Sequence, residues 1–151
     1  ASGEAALWLA CPAQNLVLHI NPATNLVTKR ITVSAAPHSI AVGGGSIWAL
    51  CGKEGKVERI DPKTDKVIKT IELGVPGAVG EIAYGEGSIW VTMAGFPLTR
   101  IDPGTDKVVQ QFFGPGGGAI QVANGAIWLS NVSRATIWKI DPKRVAVTLA
   151  D

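Results

Sequence analysis

The chain has 151 residues and a formal net charge of +2, with 46% apolar and 17% charged residues. These values are typical of one globular domain with a core of its own, and they exclude a disordered chain. Lysine and arginine are spread along the sequence, which argues against a nucleic-acid partner. No apolar run approaches the roughly 18 residues of a membrane helix.

The first residues, ASGEAALWLACP, have no basic segment ahead of the apolar one and do not resemble a signal peptide. We expect an extracellular or periplasmic location, with a targeting segment either removed or never present. Two cysteines are too few to establish an oxidising compartment.

Two sequence markers recur with the same period along the whole chain. Tryptophans are separated by 40, 42 and 38 residues, at Trp8, Trp48, Trp90 and Trp128. Asn-Pro or Asp-Pro dipeptides are separated by 40, 41 and 39 residues, and they begin at Asn21, Asp61, Asp102 and Asp141. A repeat of about 40 residues suits either propeller blades or helical solenoids.

Local patterning within the second repeat favours strands over helices. Its apolar runs are short, rich in Ile, Val and Trp, and bounded by Gly, Pro and Asp, with no sustained helical period. We predict four strands per repeat, here strand A at 39–42, B at 46–50, C at 56–60 and D at 66–73. Glycine hairpins between A and B and Asp-Pro turns between C and D predict antiparallel pairing.

The recurring strand B indicates how the repeats pack. Neighbouring Ile47 and Trp48 point to opposite faces, yet both are large and apolar, so both faces must be buried. Four-stranded sheets stacked around an axis provide that environment. We therefore predict an all-β fold, a β-propeller or part of one, in a single domain. Its repeats lie at about 1–34, 35–74, 75–113 and 114–151, and the first holds only strands B to D. This makes about three and three-quarter blades, ending on a strand D at 144–151.

The string I-A-V-G-x-G-S-I-W-V, followed by R-I-D-P-x-T-D-K-V-x-x-x-I, resembles the repeats of YVTN-type and streptogramin B (virginiamycin B) lyase-like propellers. The resemblance covers essentially the whole chain and implies a ring of six or seven blades. We therefore expect these residues to be part of a longer propeller chain. A closed four-bladed ring, or pairing with a second copy, are the alternatives.

The loops that differ between repeats are the candidates for function. The B–C and D–A connections vary and emerge on one face of an antiparallel blade, as expected for a binding face on a constant scaffold. We predict a non-catalytic module that binds a protein, glycan or small molecule there. The predicted binding-face residues are Ser39, Cys51, Met93, Asn131 and Arg134.

The alternative function is enzymatic and rests on His38 and Glu81. Both are expected at the innermost strand, near the mouth of the central channel, where they could act as base and orienting partner or hold a divalent metal. The resemblance implies a carbon–oxygen lyase, or a related hydrolase, that opens a cyclic ester with magnesium in a complete ring. No cofactor is expected otherwise.

The remaining cysteine and histidine positions have structural interpretations. Cys11 and Cys51 occupy equivalent slots in neighbouring repeats, too far apart for a disulfide, so we expect free thiols. Met93 and Asn131 fill the same slot later, and small buried hydrophobes are favoured there over a Cys/Met metal site. His19 aligns with Arg59, Arg100 and Lys139, which predicts a row of outward polar residues.

Overall fold

The computed structural model describes residues 1–75, 80–114 and 117–144. Within these ranges the chain forms four antiparallel sheets in which each strand pairs with its neighbour in sequence. The strands are β1 (Ser2–Gly3), β2 (Ala6–Cys11), β3 (Leu16–Asn21), β4 (Leu26–Thr32), β5 (Pro37–Gly43), β6 (Ser46–Cys51), β7 (Lys56–Asp61), β8 (Lys66–Glu72), β9 (Gly80–Gly85), β10 (Ser88–Met93), β11 (Phe96–Asp102), β12 (Lys107–Phe112), β13 (Ile120–Ala123), β14 (Ala126–Asn131) and β15 (Thr136–Ile140). Short 3₁₀ turns lie at Pro12–Gln14, Gly52–Glu54 and Val132–Arg134.

The sheets are propeller blades, which confirms the predicted all-β, partial β-propeller fold. Blade 1 is β1–β4, blade 2 is β5–β8, blade 3 is β9–β12 and blade 4 is β13–β15. The chain divides into two compact units: Ala1–Ala78 contains blades 1 and 2, and Val79–Asp151 contains blades 3 and 4. No described segment forms a helix long and apolar enough to cross a membrane.

The first blade differs from the prediction because it has an innermost strand. β1 is only two residues long and pairs with β2 through Ser2 opposite Leu7 and Gly3 opposite Ala6. Gly3 lies against blade 2, where a Cβ would come within 2.5 Å of the Val42 side chain. So short a strand leaves no alternating apolar pattern in the sequence. The strand predicted at 144–151 falls, from residue 145 onward, outside the described residues.

Each strand-B tryptophan is fixed by the same hydrogen bond. Its Nε1–H donates to the carbonyl oxygen five residues earlier, at the end of the innermost strand. The pairs are Trp8 to Gly3 at 3.1 Å, Trp48 to Gly43 at 3.0 Å, Trp90 to Gly85 at 3.0 Å and Trp128 to Ala123 at 3.2 Å. Satisfying this donor allows a large indole to be buried.

The row of His and basic residues predicted to point outward lies over these indoles instead. The His19 ring stacks on Trp8 with centroids 4.3 Å apart. Cationic groups stand 4.8 to 5.4 Å from the other three ring centroids, in the pairs Arg59 on Trp48, Arg100 on Trp90 and Lys139 on Trp128. Cations at this distance are attracted by the negative face of the ring.

Within each unit, one blade packs on the next through two kinds of face. We call the side of a blade that carries the strand-B tryptophan its Trp face, and the opposite side its Ile face. In the first unit, Trp8 and Val17 on the Trp face of blade 1 pack with Ile47, Ala49 and Ile60 on the Ile face of blade 2. The second unit repeats this arrangement, with Trp90 and Leu98 of blade 3 packed with Ile127 of blade 4.

The Asp-Pro turns between the third and fourth strands are held by their own carboxylates. Asp61 accepts from the Lys63 amide and the Thr64 hydroxyl, both at 2.9 Å. Asp102 makes the same two bonds to Gly104 and Thr105. The hydrogen bond from the backbone amide, followed by that from the hydroxyl, lowers the pKa of both carboxyls.

Replacing Asp61 and Asp102 together by asparagine should make the free energy of unfolding depend less on pH in acid. A carboxyl with a lowered folded-state pKa stabilises the fold above its unfolded pKa of about 3.9, and this contribution is lost as the pH falls through the lower folded value. We expect the free energy of unfolding, measured with urea between pH 7 and pH 2, to fall less below pH 4 in the variant than in the wild type. Glu86→Gln, at an exposed turn, is the control and should keep the wild-type slope. If the free energy of unfolding had the same pH dependence in all three proteins, that result would contradict the lowered pKa of Asp61 and Asp102.

Candidate functional site

The variable connections of each blade meet at one end of its strands. In blade 1 the Val33 amide, after the last strand, donates to the Asn15 carbonyl in the loop after the second strand, at 3.0 Å. Leu73 and Gly55 make the same bond in blade 2 at 2.8 Å. We call this end the loop face. In the first unit it comprises 12–15, 33–36 and 52–55, and in the second 94–95, 113–114, 117–119 and 132–135.

The polar side chains on the loop face of the first unit hold the connection between blades 1 and 2. The Ser34 amide donates to the Glu58 carboxylate at 3.3 Å, and the Ala35 amide donates to the Glu54 carboxylate at 2.7 Å. The Ala36 amide donates to the side-chain oxygen of Asn15 at 3.0 Å. Glu58 is buried and also accepts from the Ser34 and Thr70 hydroxyls. These side chains therefore serve the scaffold, although they differ from repeat to repeat.

His38 stands in a β-bulge that the sequence did not reveal. Pro37 pairs with Cys51 and Ser39 pairs with Leu50, which leaves His38 as the extra residue of β5. Its Nδ1 lies 3.2 Å from the Ala36 carbonyl oxygen, so Nδ1 carries the proton. Nε2 is buried and has no hydrogen-bond partner among the described residues. Bulges re-aim side chains and are over-represented next to active sites.

Glu81 belongs to the second unit and is tied to its own scaffold. Its Oε2 accepts from the Ile120 amide at 3.1 Å, and its backbone amide donates to the Thr92 hydroxyl at 3.0 Å. Pairing with Thr92 places Glu81 at the position that Ser39 holds in blade 2, as the repeat alignment predicts. Ser39 is half-buried.

Three of the predicted binding-face residues lie beneath that face. Cys51, Met93 and Asn131 are each the last residue of a second strand and are buried, because the sheet continues one residue further than the sequence pattern suggests. The Asn131 side-chain oxygen Oδ1 accepts from the Ser133 hydroxyl and the Arg134 amide. Only Arg134 lies exposed, in the 3₁₀ turn that Asn131 holds.

Both cysteines are free thiols, as predicted. Burial, reinforced by the nearby Glu58 and Glu54 carboxylates, raises the pKa of Cys51 to about 12. Cys11 is half-buried. Within the described ranges, no three His, Cys, Asp or Glu side chains come together as ligands for a metal ion.

A partly exposed aromatic pair at the loop face of the second unit was not predicted. The Phe96 and Phe113 rings meet edge to face with centroids 4.7 Å apart, and Phe113 is 76% exposed. In blade 2 the corresponding positions carry an ion pair, Lys56 and Glu72, at 3.7 Å. The signal was available in the sequence, since Phe113 stands where the other repeats have a polar residue.

Comparisons with known proteins give the fold and no family. No family model matches the chain, and no curated protein matches it. Among solved structures, virginiamycin B lyase from Staphylococcus aureus is similar with a TM-score of 0.72 and 20% identity, over 93% of this chain and 54% of that one. A catalytically inactive form of the same lyase with quinupristin is similar with a TM-score of 0.70 and 16% identity, over 89% of this chain and 51% of that one.

Two further structures extend the comparison. Myxococcus xanthus glutaminyl cyclase gives a TM-score of 0.65 and 16% identity, over 93% of this chain and 63% of that one. The computationally designed Ika4 protein is similar with a TM-score of 0.74 and 11% identity, over 92% of this chain and 88% of that one. The chain thus spans about half of the lyase and under two thirds of the cyclase.

At these identities the similarity shows the fold alone. It supports a β-propeller of the streptogramin B lyase type. None of the comparisons supports the YVTN-type repeat, which stays a prediction.

Only one of the two thiols should react with a maleimide in the folded protein. The thiolate is the reactive form, and at pH 8 a thiol with a pKa near 12 holds about one thiolate in ten thousand. We expect mass spectrometry to show labelling of the half-buried Cys11 and protection of Cys51 until urea unfolds the chain. Cys11→Ser is the matched control and should leave no fast-reacting thiol. Rapid labelling of Cys51 in that variant would contradict its placement.

Proposed function

We propose that this chain is a non-catalytic β-propeller module that binds a protein, glycan or small-molecule ligand on its loop face. The observation that carries the proposal is the contact between half-buried Phe96 and exposed Phe113 in the second unit. The ion pair of Lys56 and Glu72 in blade 2 supports it, because this repeat folds with charged residues at the same two positions. The scaffold therefore does not require aromatic rings there.

A second exposed apolar side chain on the loop face of the second unit favours an apolar contact with the ligand. Val132, in the 3₁₀ turn of blade 4, is 77% exposed. One of its methyl groups would lie 3.4 Å from a Cβ at Gly118, so it borders the connection that follows Phe113. Rigid aromatic rings with exposed faces are suited to contact aliphatic side chains and sugar rings. We expect the ligand to present such a group, and exposed Arg134 to contact a polar part of it.

The test exchanges the aromatic pair for the ion pair that this chain already uses. The double variant Phe96→Lys with Phe113→Glu copies Lys56 and Glu72, so it should fold with a melting temperature close to that of the wild type. Ligands are first selected on the wild type from a phage-displayed peptide library and a glycan array. We expect their affinity for the double variant, measured by calorimetry, to fall at least tenfold, about 1.4 kcal/mol.

A matched control removes an exposed apolar side chain elsewhere. Ile68→Lys changes a residue of β8 that is half-exposed and lies away from the loop face, so it should leave the affinity unchanged. Equal affinity of the double variant and the wild type would overturn the aromatic pair as the binding site.

The second candidate function is the lyase, favoured by the unpaired Nε2 of His38. An imidazole nitrogen without a hydrogen-bond partner is a candidate general base for elimination from a cyclic ester. Nothing in the described residues assembles a magnesium site around it.

Quinupristin tests whether this chain by itself has the second function. Incubated with the chain and Mg²⁺, it should remain unchanged if the chain only binds ligands. A lyase would convert it to a linear isomer of the same mass but different chromatographic retention, and a hydrolase would add one water. Formation of either product by the wild type and not by His38→Ala would overturn the binding-only proposal.

A further inference from the structure

The loop face of the second unit carries one cation and no acidic residue in the ranges that define it. Apart from Ser133 and Arg134, its residues are Gly, Ala, Phe and Val, at 94–95, 113–114, 117–119 and 132–135. The Ser133 hydroxyl already donates to the Asn131 side chain at 2.9 Å. Among the residues that the structure describes, Arg134 is therefore the main polar group that this surface offers to a ligand.

Arg134 reverses the charge that blade 2 has at the same place. Arg134 and Glu54 each end the short 3₁₀ turn that follows a second strand. The Glu54 carboxylate accepts from the Ala35 amide at 2.7 Å and from Lys56 at 2.8 Å. The Arg134 guanidinium, by contrast, has no hydrogen bond or ion pair with any described residue. Within the described ranges its positive charge is therefore unpaired.

The repeat correspondence indicates that Arg134 lies beside the connection that begins at Phe113. In the first unit, Glu54 contacts Ala35, three residues after Thr32, which is the counterpart of Phe113. Arg134 stands in the turn of blade 4 as Glu54 does in the turn of blade 2, so it faces the connection from the preceding blade.

The same turn brings an aliphatic side chain to this connection. A methyl group of Val132 would lie 3.4 Å from a Cβ at Gly118. Val132 and Phe113 are 77% and 76% exposed. A cation and two exposed apolar side chains therefore border one stretch of the loop face.

The composition of this surface favours a peptide over a sugar. A sugar that stacks on an aromatic ring still needs hydrogen-bond partners for the hydroxyl groups around its edge. The neighbours of Phe113 on the loop face, at 94–95 and 117–119, are Ala and Gly and offer no polar side chain. An apolar side chain needs no such partners and is stabilised by contact with an exposed ring.

We propose that the ligand of this loop face is an acidic peptide, in which an aspartate or glutamate lies next to a large apolar residue. The carboxylate pairs with the Arg134 guanidinium, whose planar fork matches a carboxylate through two parallel hydrogen bonds. The apolar side chain of the peptide packs on Phe113 and Val132. This inference rests on the proposed function, since it names the ligand class for the same site.

Peptides selected on the wild type from a phage-displayed library test the ligand class. We expect the selected sequences to be enriched in aspartate or glutamate beside leucine, isoleucine or phenylalanine. A selected peptide resynthesised with its acid changed to the amide should bind about tenfold more weakly by calorimetry, because a charge-assisted pair is lost. Its affinity should also depend less on salt than that of the acidic peptide.

Substitutions at Arg134 test the pairing. Arg134→Glu gives blade 4 the residue that blade 2 carries, so the turn should still form. This variant should bind the acidic peptide more weakly and should favour a version with lysine in place of the acid. Arg134→Lys keeps the charge and should retain most of the affinity. Lys107→Glu makes the same change of net charge at the exposed start of β12, the other end of blade 3, and should bind like the wild type.

The outcomes separate this inference from the proposed function. If the amide peptide binds as tightly as the acidic one while the exchange of Phe96 and Phe113 still weakens binding, the acidic ligand is wrong and the proposed function stands. If neither change alters the affinity, both are overturned. Failure to enrich acidic peptides would overturn this inference, and binding of a uronic-acid oligosaccharide instead would make the ligand an anionic glycan. Equal losses in Arg134→Glu and Lys107→Glu would contradict the pairing with Arg134.

Discussion

The hydrogen bond from the strand-B indole to the end of the innermost strand underlies the rest of each blade. A buried indole N–H without a partner would destabilise the fold by about 1–3 kcal/mol, so the carbonyl five residues back allows complete burial of the ring. The residue over the ring then depends on how strand B begins. Where Ser46 or Ser88 begins it, arginine lies above and its Nε donates to the serine hydroxyl at 2.9 Å. Where alanine takes that place, histidine or lysine lies above.

The architecture was predictable because its determinants are local and repeat four times. Trp48 beside Ile47 requires two buried faces, and Asp61-Pro62 requires a tight turn, whatever the remainder of the chain does. β1 was missed because two residues leave no pattern. The bulge at His38 was missed because a single extra residue changes the register without changing the composition. Cys51, Met93 and Asn131 are buried because each strand ends one residue later than the sequence pattern suggests, and their part in binding stays a prediction.

Comparison of the repeats with each other separated constant from variable positions, but variability alone did not identify function. Asn15, Glu54 and Glu58 are variable and are nevertheless occupied with the amides of residues 34–36. A loop between blades has unpaired amides that some side chain must satisfy, and different repeats use different residues for this purpose. The sequence could not show which variable polar residues are engaged in this way, because the bonds cross from one blade to the next.

The exposed apolar residues fall into two classes, and the repeats themselves distinguish them. Leu7, Leu9 and Ile137 are exposed at positions where the other repeats also carry apolar residues, and those counterparts are buried. Their exposure therefore reflects the architecture, a blade face without its neighbour. Phe113 is exposed where Thr32 and Glu72 stand, at a position that is exposed in every described repeat that has it. No further blade is needed to explain that position, so its aromatic ring is a property of this loop face, and the proposed ligand contact rests on it for that reason.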